Sequence, residues 1–387
     1  MSRRRRALLL QFTEPQRFPP IQHIAQILLA AGWDVELSCC EIGDGHAWPF
    51  TDPVLDAATW RQAGAVGGWR GRLHYLRFLR RAAHRMRRWR PTLVYASDLF
   101  AAPLVGAARR LGLPVAFHEH DLPTGAARGW SQRWLHRARL RALRQADFLV
   151  FPGDVRRRAA CDAAAVAVDD ARTVVVWNLP LLSECLDAVP AQRSTDTGLR
   201  LYFHGTITPE RLPLELLDGM AAARCAPSLT LVGYETQGAR GHLAAFVGHA
   251  ARLGLGGRLA VHGALPRESA LALCRGHDLG VCCYGGDVNH MSMLGPSNKP
   301  FDYLACGVVP LVPAQAEWLT GLVTPGYAFA LPDHGGAIAF GALLDRLALA
   351  PQRLHEAAVS GLAKLRREWH YEHAFMPLLT RFARLPP

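Results

Sequence analysis

The sequence predicts an α/β protein made of two doubly wound domains, and three observations support that prediction. The chain has 387 residues, of which 50% are hydrophobic, so it can bury two cores of ordinary domain size. Short apolar runs rich in Val and Leu alternate with longer helical patterns, as strands and helices do around a parallel sheet. One polar stretch, Glu184 to Gly198, interrupts this alternation. Charged residues make up 20%, and no apolar run has the length of a membrane span, which argues against a disordered or membrane-spanning chain.

The first half of the sequence contains six apolar runs that predict strands, most of them buried on both faces. They are Ala7 to Phe12, Asp34 to Cys39, Thr92 to Ala96, Pro114 to His118, Asp147 to Phe151 and Thr173 to Trp177. The helices predicted between them include Ile21 to Ala31, Ala101 to Leu111 and Gln132 to Ala146. Gly32 and Gly112 follow the first two of these helices, as glycine often does where a helix ends. We therefore predict a first domain over residues 1–183.

After the polar stretch, which we predict to be a linker over residues 184–198, the alternation begins again. Five further strands are predicted: Leu199 to His204, Ser228 to Gly233, Arg258 to His262, Asp278 to Tyr284 and Val308 to Val312. They indicate a second domain over residues 199–365. The remaining residues, 366–387, form a helical segment that we expect to pack back on the first domain. Two such domains would bind ligands at the carboxyl ends of their strands, in a central cleft.

The positive charge of the chain is unevenly distributed. The formal net charge is +12, and only two of the 44 basic residues, Lys299 and Lys364, are lysines. Up to Thr195 there are 28 Arg against 17 acidic residues, a balance of +11, while the rest of the chain has 16 basic and 15 acidic residues, a balance of +1. The first domain is therefore the one expected to meet an anionic partner.

Residues 69–90 concentrate this charge, with nine Arg and no acidic residue. An apolar stripe recurs at intervals of three or four residues and consists of Trp69, Leu73, Leu76, Leu79, Ala83 and Met86. A basic amphipathic helix of this kind binds an anionic membrane surface, at about 1 kcal/mol per basic residue near that surface. The alternative is a helix packed on the sheet with a solvated Arg face. A nucleic-acid partner is not expected, because the sequence has no recognisable binding module.

Nine cysteines include two adjacent pairs and no C-x-x-C motif. This spacing fits neither a disulfide framework nor a zinc site, so we predict reduced thiols in a reducing compartment. The basic start of the chain is followed by the apolar stretch Ala7 to Phe12, which is too short for the hydrophobic region of a signal peptide. We expect a cytoplasmic protein, peripheral on the inner face of the cytoplasmic membrane if the basic helix docks there.

The segment Gly295 to Gly307, followed by a hydrophobic strand, is the most informative part of the sequence for function. Pro296 and Ser297 indicate the start of a helix, and helix N-termini attract phosphate groups. Lys299 would lie in the first turn, where a cation opposes the helix dipole unless an anion binds beside it. Asp302, three residues on, lies on the same face and has oxygens that accept hydrogen bonds from neighbouring sugar hydroxyls.

Residues 298–307, with their Asn-Lys, Phe-Asp-Tyr and Ala-Cys-Gly groups, resemble the donor-binding helix of GT-B glycosyltransferases of the family 4 type. The resemblance implies two Rossmann-like domains that face a central cleft. The residues it implies for binding a nucleotide-sugar are Ser297, Asn298, Lys299 and Asp302. Asp302 falls at the second Glu of the family's E-x7-E motif, whose carboxylate holds the ribose hydroxyls. Leu294 replaces the first Glu, so a carboxylate contact to the donor sugar would come from Asp287 or another residue of the preceding loop.

A second segment, Leu201 to Arg211, is similar to the strand and glycine loop that open the second domain in that family. This similarity implies that Gly205 and Arg211 contact the donor diphosphate. Gly233, at the end of the next predicted strand, is placed with them. The planar guanidinium of Arg211 suits a diphosphate, and Lys299 would add a point charge from the other loop.

The first domain carries the resemblance as well, because Gly112 to Asp121 resembles a strand that ends in a His-Glu pair at the cleft. The resemblance implies that His120 and Asp121 are catalytic residues beside the donor sugar. Asp98 and Arg17, which follow earlier strands, are placed on the acceptor side. A metal site is not expected at the His-Glu-His-Asp run, since the two histidines share one strand face and a third ligand is missing nearby.

The resemblance implies a retaining, metal-independent glycosyltransferase that needs no cofactor. It would move a sugar from a nucleoside diphosphate to a hydroxyl of a glycan or glycolipid acceptor, in envelope or polysaccharide biosynthesis. The sequence contains no D-x-D motif of the metal-diphosphate kind. Two alternatives remain open. One is a sugar-nucleotide epimerase of the same fold, which would need no acceptor, and the other is a protein that binds nucleotide-sugar or membrane without turnover.

Overall fold

The computed structural model of the chain describes residues 4–15, 18–42, 53–64, 68–123, 129–191, 198–283, 293–332 and 334–386. The chain divides into two compact units, Met1–Asn178 together with Tyr371–Pro387, and Leu179–His370. Each unit contains one parallel sheet whose strands are connected mainly through helices. The predicted class, α/β with two doubly wound domains, is therefore confirmed.

Seven parallel strands form the sheet of the first unit. They are β1 (Arg6–Leu10), β2 (Asp34–Ile42), β3 (Thr59–Gly64), β4 (Leu93–Ser97), β5 (Val115–His118), β6 (Phe148–Phe151) and β7 (Thr173–Val175). Their order across the sheet is β3-β2-β1-β4-β5-β6-β7. β1 pairs with both β2 and β4, so successive strands are added in opposite directions on either side of β1.

The helices of the first unit cover its sheet and bury an apolar core against it. They are α1 (Pro19–Ala30), α2 (Pro53–Ala58), α3 (Gly68–Trp89), α4 (Ala102–Arg110), α5 (Trp130–Gln145), α6 (Asp154–Ala164) and the last helix of the chain, α14 (Tyr371–Phe382). Phe78 of α3, Val105 of α4 and Leu143 of α5 belong to one buried cluster with Phe117 of β5. α3, α4 and α5 therefore share one core with the sheet.

Six parallel strands form the sheet of the second unit. They are β8 (Arg200–Ile207), β9 (Ser228–Glu235), β10 (Leu259–His262), β11 (Leu279–Val281), β12 (Val309–Val312) and β13 (Phe329–Ala330), in the order β10-β9-β8-β11-β12-β13. The helices are α7 (Glu215–Ala222), α8 (His242–Arg252), α9 (Arg267–Cys274), α10 (Lys299–Ala305), α11 (Ala316–Trp318), α12 (Gly336–Ala348) and α13 (Pro351–Arg367). The central strand is β8, which has the position that β1 has in the first unit.

The division of the chain lies five residues away from the predicted domain boundaries, after Asn178 rather than 183 and after His370 rather than 365. The described part of the predicted linker belongs to the second unit. Leu186 donates a backbone hydrogen bond of 2.9 Å to Ala305 of α10, and Glu184 forms an ion pair with α9. These contacts, which the composition of the stretch does not reveal, attach it to the second sheet's helices.

α3 buries a different face from the one that its apolar stripe suggests. Its buried residues are Gly71, Phe78, Ala82 and Met86. The stripe members that remain exposed are Trp69 at 70%, Leu73 at 44% and Leu76 at 55%. The stripe repeats about every 3.5 residues, so it drifts around a helix with 3.6 residues per turn, and its first half faces away from the core. Within the described ranges, no helix is long and apolar enough to cross a membrane.

Candidate functional site

In each unit, polar residues lie at the carboxyl ends of the strands where the direction of strand addition changes. This point lies between β1 and β4 in the first unit and between β8 and β11 in the second. In open α/β sheets, ligands bind outside the carboxyl ends of the strands at such points, because the connections leave the sheet in opposite directions and open a crevice. We therefore take these two strand ends as the candidate sites.

Two glycines mark the carboxyl ends of β8 and β9. Gly205 and Gly233 are partners in the register of these strands. A Cβ atom at Gly233 would lie 2.0 Å from the carbonyl oxygen of Gly205, so no larger residue fits there unless the strands move. Gly205 has a φ of +114°, which side chains other than glycine rarely adopt. A Cβ atom at Gly205 would meet Cε and Nζ of Lys299 at 3.4 and 3.5 Å. Three of the predicted donor residues therefore lie together.

The Lys299 side chain is buried beside this glycine pair. It is 7% exposed, and its Nζ lies 5.2 Å from the centre of the Phe203 ring. Burial lowers the pKa of Lys299 to about 7, and the positive charge of Arg211 contributes to the shift. Arg211 follows β8 and is partly exposed. An anion bound beside these two cations would relieve their mutual repulsion, so their arrangement suits a phosphate or diphosphate.

Asp302 lies on α10 and is only 1% exposed. Its Oδ1 accepts a hydrogen bond of 2.7 Å from Nη2 of Arg267, and its Oδ2 accepts from Nη1 of Arg267 and Nε2 of His204, both at 3.1 Å. Burial by itself would raise the pKa of Asp302, but Arg267 and these hydrogen bonds hold it below its usual value. Asp302 is therefore an ionised carboxylate inside a network of the protein's own groups.

Arg267, the first residue of α9, connects Asp302 to a second carboxylate. Its Nε and Nη2 donate to the two oxygens of Glu184 at 2.5 and 2.9 Å. Arg267 is 83 residues from Glu184 and 35 residues from Asp302 along the chain, so no local pattern could have signalled these pairs. The predicted contact of Asp302 with ribose hydroxyls stays a prediction, and it would have to use the lone pairs that Arg267 and His204 leave.

The start of α10 differs from the predicted one. The helix begins at Lys299 with Asn298 at the N-cap, and that cap has no side-chain hydrogen bond. Ser297 lies one position too early to be the cap, and its backbone N–H donates to the carbonyl of Met293 at 2.9 Å. Ser297 and Asn298, both predicted donor residues, nevertheless directly precede Lys299, and Ser297 is 5% exposed.

Leu294, at the position of the first motif Glu, is a packing residue. It lies against Gly321, where a Cβ atom would meet Cδ2 of Leu294 at 2.4 Å. An apolar contact therefore takes the place of a carboxylate. Asp287, the alternative source of that carboxylate, lies outside the described residues.

In the first unit, a chain of hydrogen bonds joins the carboxyl ends of β1, β4 and β5. The Ser97 hydroxyl donates to Oε1 of Gln11 at 3.0 Å, so it accepts from Nε2 of His120 at 2.9 Å. Burial lowers the pKa of His120 to about 4, although Asp121 opposes the shift. At neutral pH His120 is therefore a neutral imidazole with its hydrogen on Nε2 and a lone pair on Nδ1.

His118 lies beside His120, with ring centres 3.8 Å apart. Its Nδ1 is 2.9 Å from the Tyr95 hydroxyl, and burial holds its pKa well below the usual value. Among the described residues, its Nε2 has no hydrogen-bond partner. Glu119, between the two histidines, forms a buried pair with Arg139 through two hydrogen bonds of 2.6 Å. The strand end therefore presents two neutral rings, and the charged Glu119 is neutralised behind them.

Asp121 and Asp98 are the predicted acids of this unit. Asp121 is exposed, and its Oδ1 accepts a hydrogen bond of 2.8 Å from Nη1 of Arg156. Asp98 follows β4 with a φ of +73°, and it accepts from the backbone N–H of Leu99 at 2.6 Å. Burial raises the pKa of Asp98 to about 6, with a contribution from Asp121. The structure thus brings His120, Asp121 and Asp98 to neighbouring strand ends, whereas Arg17 lies outside the described residues.

Neither a metal cluster nor a wide groove among the described residues competes with these strand ends. No group of three or more His, Cys, Asp or Glu side chains in the described part of the chain could hold a metal ion. A groove of about 1840 Å³ in the first unit is lined by residues of β2, α2, β3 and α3, including Trp60 and Trp89, and by Trp33 just before β2. None of the predicted site residues lines it, so the candidate sites remain at the two strand ends.

Comparisons with known proteins agree with this architecture. Residues 20–178 match the family model described as a glycosyl transferase 4-like domain. Sucrose-phosphate synthase from Thermosynechococcus elongatus is similar over 99% of both chains, with a TM-score of 0.74 and 14% identity. HepE of Anabaena, solved with UDP and glucose, is similar over 98% of this chain and 100% of its own, with a TM-score of 0.72 and 14% identity. The apo lipopolysaccharide outer core galactosyltransferase WaaB covers the same shares, with a TM-score of 0.62 and 12% identity.

A comparison with curated protein sequences found no match. These solved structures are only 12% to 14% identical in sequence to this chain, so the likeness establishes the fold alone. That fold is the one of the GT-B glycosyltransferases. Together with the family match of the first unit, it confirms the resemblance that the sequence motifs indicate.

Proposed function

We propose that this chain, which has the GT-B fold and a glycosyl transferase 4-like first domain, moves a sugar from a nucleoside diphosphate to a hydroxyl acceptor. The observation that carries the proposal is the meeting of Gly205, Gly233, Lys299 and Arg211 at the central strand of the second unit. Glycine backbone without side chains permits close approach of a diphosphate, and two cations beside it supply the opposite charge. HepE, which shares the fold, is described with UDP and with UDP-glucose bound.

The chemistry we infer is retaining and metal-independent. In the transfer step, the bond between the sugar and the diphosphate breaks, and negative charge grows on the leaving phosphate oxygen. Arg211 and Lys299 would stabilise that charge electrostatically, which is the task a metal ion performs in other transferases. The leaving oxygen would take the proton of the acceptor hydroxyl on the same face of the sugar, so that the new bond keeps the original configuration.

The first unit would act on the sugar and the acceptor. His120 is neutral, and the lone pair on its Nδ1 is suited to accept a hydrogen bond from a sugar hydroxyl. Asp121 would help to position the donor sugar, and Asp98 would face the acceptor. A pKa of about 6 leaves the Asp98 carboxylate mostly ionised at neutral pH, ready to accept a hydrogen bond from an acceptor hydroxyl.

The acceptor we propose is a glycan or glycolipid of the cell envelope, reached from the inner face of the cytoplasmic membrane. The support for this part of the proposal is the basic helix α3, whose arginines suit an anionic membrane surface. WaaB, a galactosyltransferase of the lipopolysaccharide outer core by its description, has the same fold.

One experiment tests the proposal against its alternatives. The protein is incubated with a panel of nucleotide-sugars, with and without membrane extract, and free nucleotide and sugar identity are followed. Nucleotide release that requires the extract supports the transferase. Interconversion of the nucleotide-sugar without an acceptor would instead identify an epimerase, and binding without release would identify a non-catalytic protein.

Matched variants tie the outcome to the donor site. Arg211→Ala is expected to abolish most of the release, because it removes a cation from the leaving diphosphate. Arg224→Ala is the control, since Arg224 lies in the same unit with a side chain that is 96% exposed. Equal activity of the two variants would count against the proposed diphosphate site.

A further inference from the structure

The solvent-facing side of α3 carries a line of apolar side chains that the proposed reaction does not use. Trp69, Leu73 and Leu76 follow one another at intervals of four and three residues, so they lie on one line along the helix. This line is opposite the buried Phe78 and Ala82. Two leucines and an indole on the outermost side of a surface helix raise the free energy of the protein in water unless something covers them.

α5 repeats this arrangement on a second helix. Trp130 and Trp134 are 76% and 38% exposed, and Arg137 and Arg141 continue the same outward line. The buried residues of α5, which lie on the opposite side, are Arg139, Ala142 and Leu143. Along the outward line of each helix, apolar side chains come first and arginines follow.

Both helices begin at the sheet edge that holds Asp98. α3 ends at Trp89, shortly before β4, and α5 ends shortly before β6, so each helix runs from the carboxyl edge of the parallel sheet to its amino edge. Tyr75 of α3 donates a hydrogen bond of 2.7 Å to the carbonyl of Phe100, two residues after Asp98. The Tyr75 ring also lies 6.3 Å from that of Trp134 on α5. The two apolar ends are therefore neighbours, and both border the proposed acceptor residue.

The charge around this apolar patch has one sign. Neither helix contains an acidic residue, and the exposed arginines of α3 are Arg70, Arg72, Arg77, Arg80, Arg81, Arg87 and Arg88. Indoles and leucines fit the boundary between headgroups and acyl chains of a bilayer, while guanidinium groups contact lipid phosphates. Duplex nucleic acid would also attract the arginines, but it has nothing to cover the leucines on the outermost line.

We propose that α3 and α5 together form a docking surface for an anionic phospholipid bilayer, with Trp69, Leu73, Leu76, Trp130 and Trp134 at the lipid interface. The inference rests on the proposed function; it adds α5 to the membrane surface and narrows the acceptor to a lipid-anchored molecule. A surface that borders Asp98 and lies on the bilayer brings the acceptor edge to the membrane, so the acceptor is a hydroxyl on a lipid-anchored molecule rather than a free sugar.

Sedimentation of the full chain with vesicles tests the surface directly. We expect binding to vesicles of equal parts phosphatidylcholine and phosphatidylglycerol, and much weaker binding to phosphatidylcholine alone. Each basic residue lost is expected to weaken vesicle binding about fivefold. The Arg133→Glu, Arg137→Glu double variant of α5 should therefore bind about 25-fold more weakly, or worse. We expect a clear loss of binding for the Trp69→Gln, Trp130→Gln double variant as well.

The control is the Ile338→Gln, Leu349→Gln double variant, which removes two side chains of the second unit that are 80% and 87% exposed. It is expected to bind vesicles as the unchanged protein does. All substituted side chains are exposed, and thermal unfolding verifies that each variant folds. Unchanged binding of the tryptophan variant would overturn the insertion of the apolar patch, and unchanged binding of the α5 arginine variant would remove α5 from the surface.

Two further outcomes would overturn the inference. Binding of the unchanged protein to duplex oligonucleotides but not to anionic vesicles would assign the surface to nucleic acid. Turnover of a nucleotide-sugar with membrane extract, without vesicle binding, would reject the surface and leave the transferase intact. Because vesicle binding needs no donor, the surface is tested even if the proposed transfer reaction fails.

Discussion

Among single residues, Lys299 is expected to make the proposed donor binding depend on pH. Its pKa is lowered to about 7 by burial and by Arg211, and a diphosphate beside Nζ would favour the charged ammonium. Binding above pH 7 should therefore take up a proton. We expect the affinity for a nucleoside diphosphate to fall roughly tenfold between pH 7 and about pH 8.5, because more of the free protein then holds neutral Lys299.

Calorimetric titration in two buffers with different ionisation enthalpies measures this proton uptake. The Lys299→Arg variant is the matched control, because its guanidinium stays charged over this pH range. Its affinity is expected to be nearly constant. A pH-independent affinity of the unchanged protein would remove Lys299 from contact with the diphosphate.

Asp302 should contribute more to stability than an exposed aspartate in a similar pair. Asp302→Asn removes the charge that Arg267 and His204 contact, and we expect a loss of about 3 kcal/mol, since breaking a buried pair leaves its partner uncompensated. Asp218→Asn is the control, because Asp218 pairs with His249 at 2.6 Å while 37% of its side chain is exposed. Its cost should stay below about 1 kcal/mol. Urea unfolding, followed by a probe in the second unit, measures both.

The nucleotide affinity of the same Asp302→Asn protein separates two roles of this carboxylate. A protein that is less stable but binds nucleotide normally when folded would assign Asp302 to the network with Arg267. A protein that keeps its stability and loses affinity would contradict the predicted loss and favour a ribose contact instead.

Among the elements, β8 and β9 depend on their glycine pair. Gly233→Ala would place a Cβ atom 2.0 Å from the carbonyl oxygen of Gly205, so the strands must separate. We expect a loss of about 3 kcal/mol, at the upper end of overpacking costs because the contact is with backbone, together with weaker nucleotide binding. Gly256→Ala, where a Cβ atom meets nothing within 4 Å, should change stability by less than about 0.5 kcal/mol. Equal thermal unfolding of the two variants would contradict this account.

Strands are predictable from this sequence where burial on both faces leaves a continuous apolar run. β4 and β5 lie within one residue of their predicted bounds, and all residues of both are buried. β3 is not predicted, because Thr59–Gly64 has neither alternation nor an apolar run and joins the sheet by pairing with β2. For α3, the sequence indicates one apolar stripe, but packing in the folded unit buries Phe78 and Ala82 beside it and leaves its first half exposed.

The candidate site is predictable to the extent that local motifs carry it. Gly205 and Lys299 lie in segments whose residue types already indicate a phosphate contact, and the structure places them side by side. Arg267 and Glu184 lie in no such motif. They belong to the site only because the folded unit brings Arg267 into contact with both Glu184 and Asp302. Ser97 likewise gains a role only when β1, β4 and β5 align it with His120.

For the whole molecule, the division of charge at Thr195 lies close to the division of the fold at Asn178. The excess of +11 falls before Thr195, and α3 and α5 place much of it on the outside of the first unit. In the second unit, by contrast, Lys299 and Arg267 are directed into the unit and lie beside buried groups. This division is what the proposed membrane surface of the first unit and the proposed diphosphate site of the second unit require.

The last helix of the chain completes the first unit rather than the second, and its removal should show this. α14 buries Tyr371, Phe375, Leu378 and Phe382, and Phe382 lies 5.2 Å from Phe148 of β6. At about 1.5–3 kcal/mol for each buried side chain, the loss would be about 6–12 kcal/mol, comparable to the whole stability of a domain. A chain that ends at His370 should therefore exchange its amide hydrogens rapidly over the described residues of 4–178 and stay protected over those of 198–370, as mass spectrometry can measure. A chain that ends at Leu385 is the control and should be protected in both units. Protection of residues 4–178 in the shorter chain would contradict the role of α14, because the first core would then be stable without it.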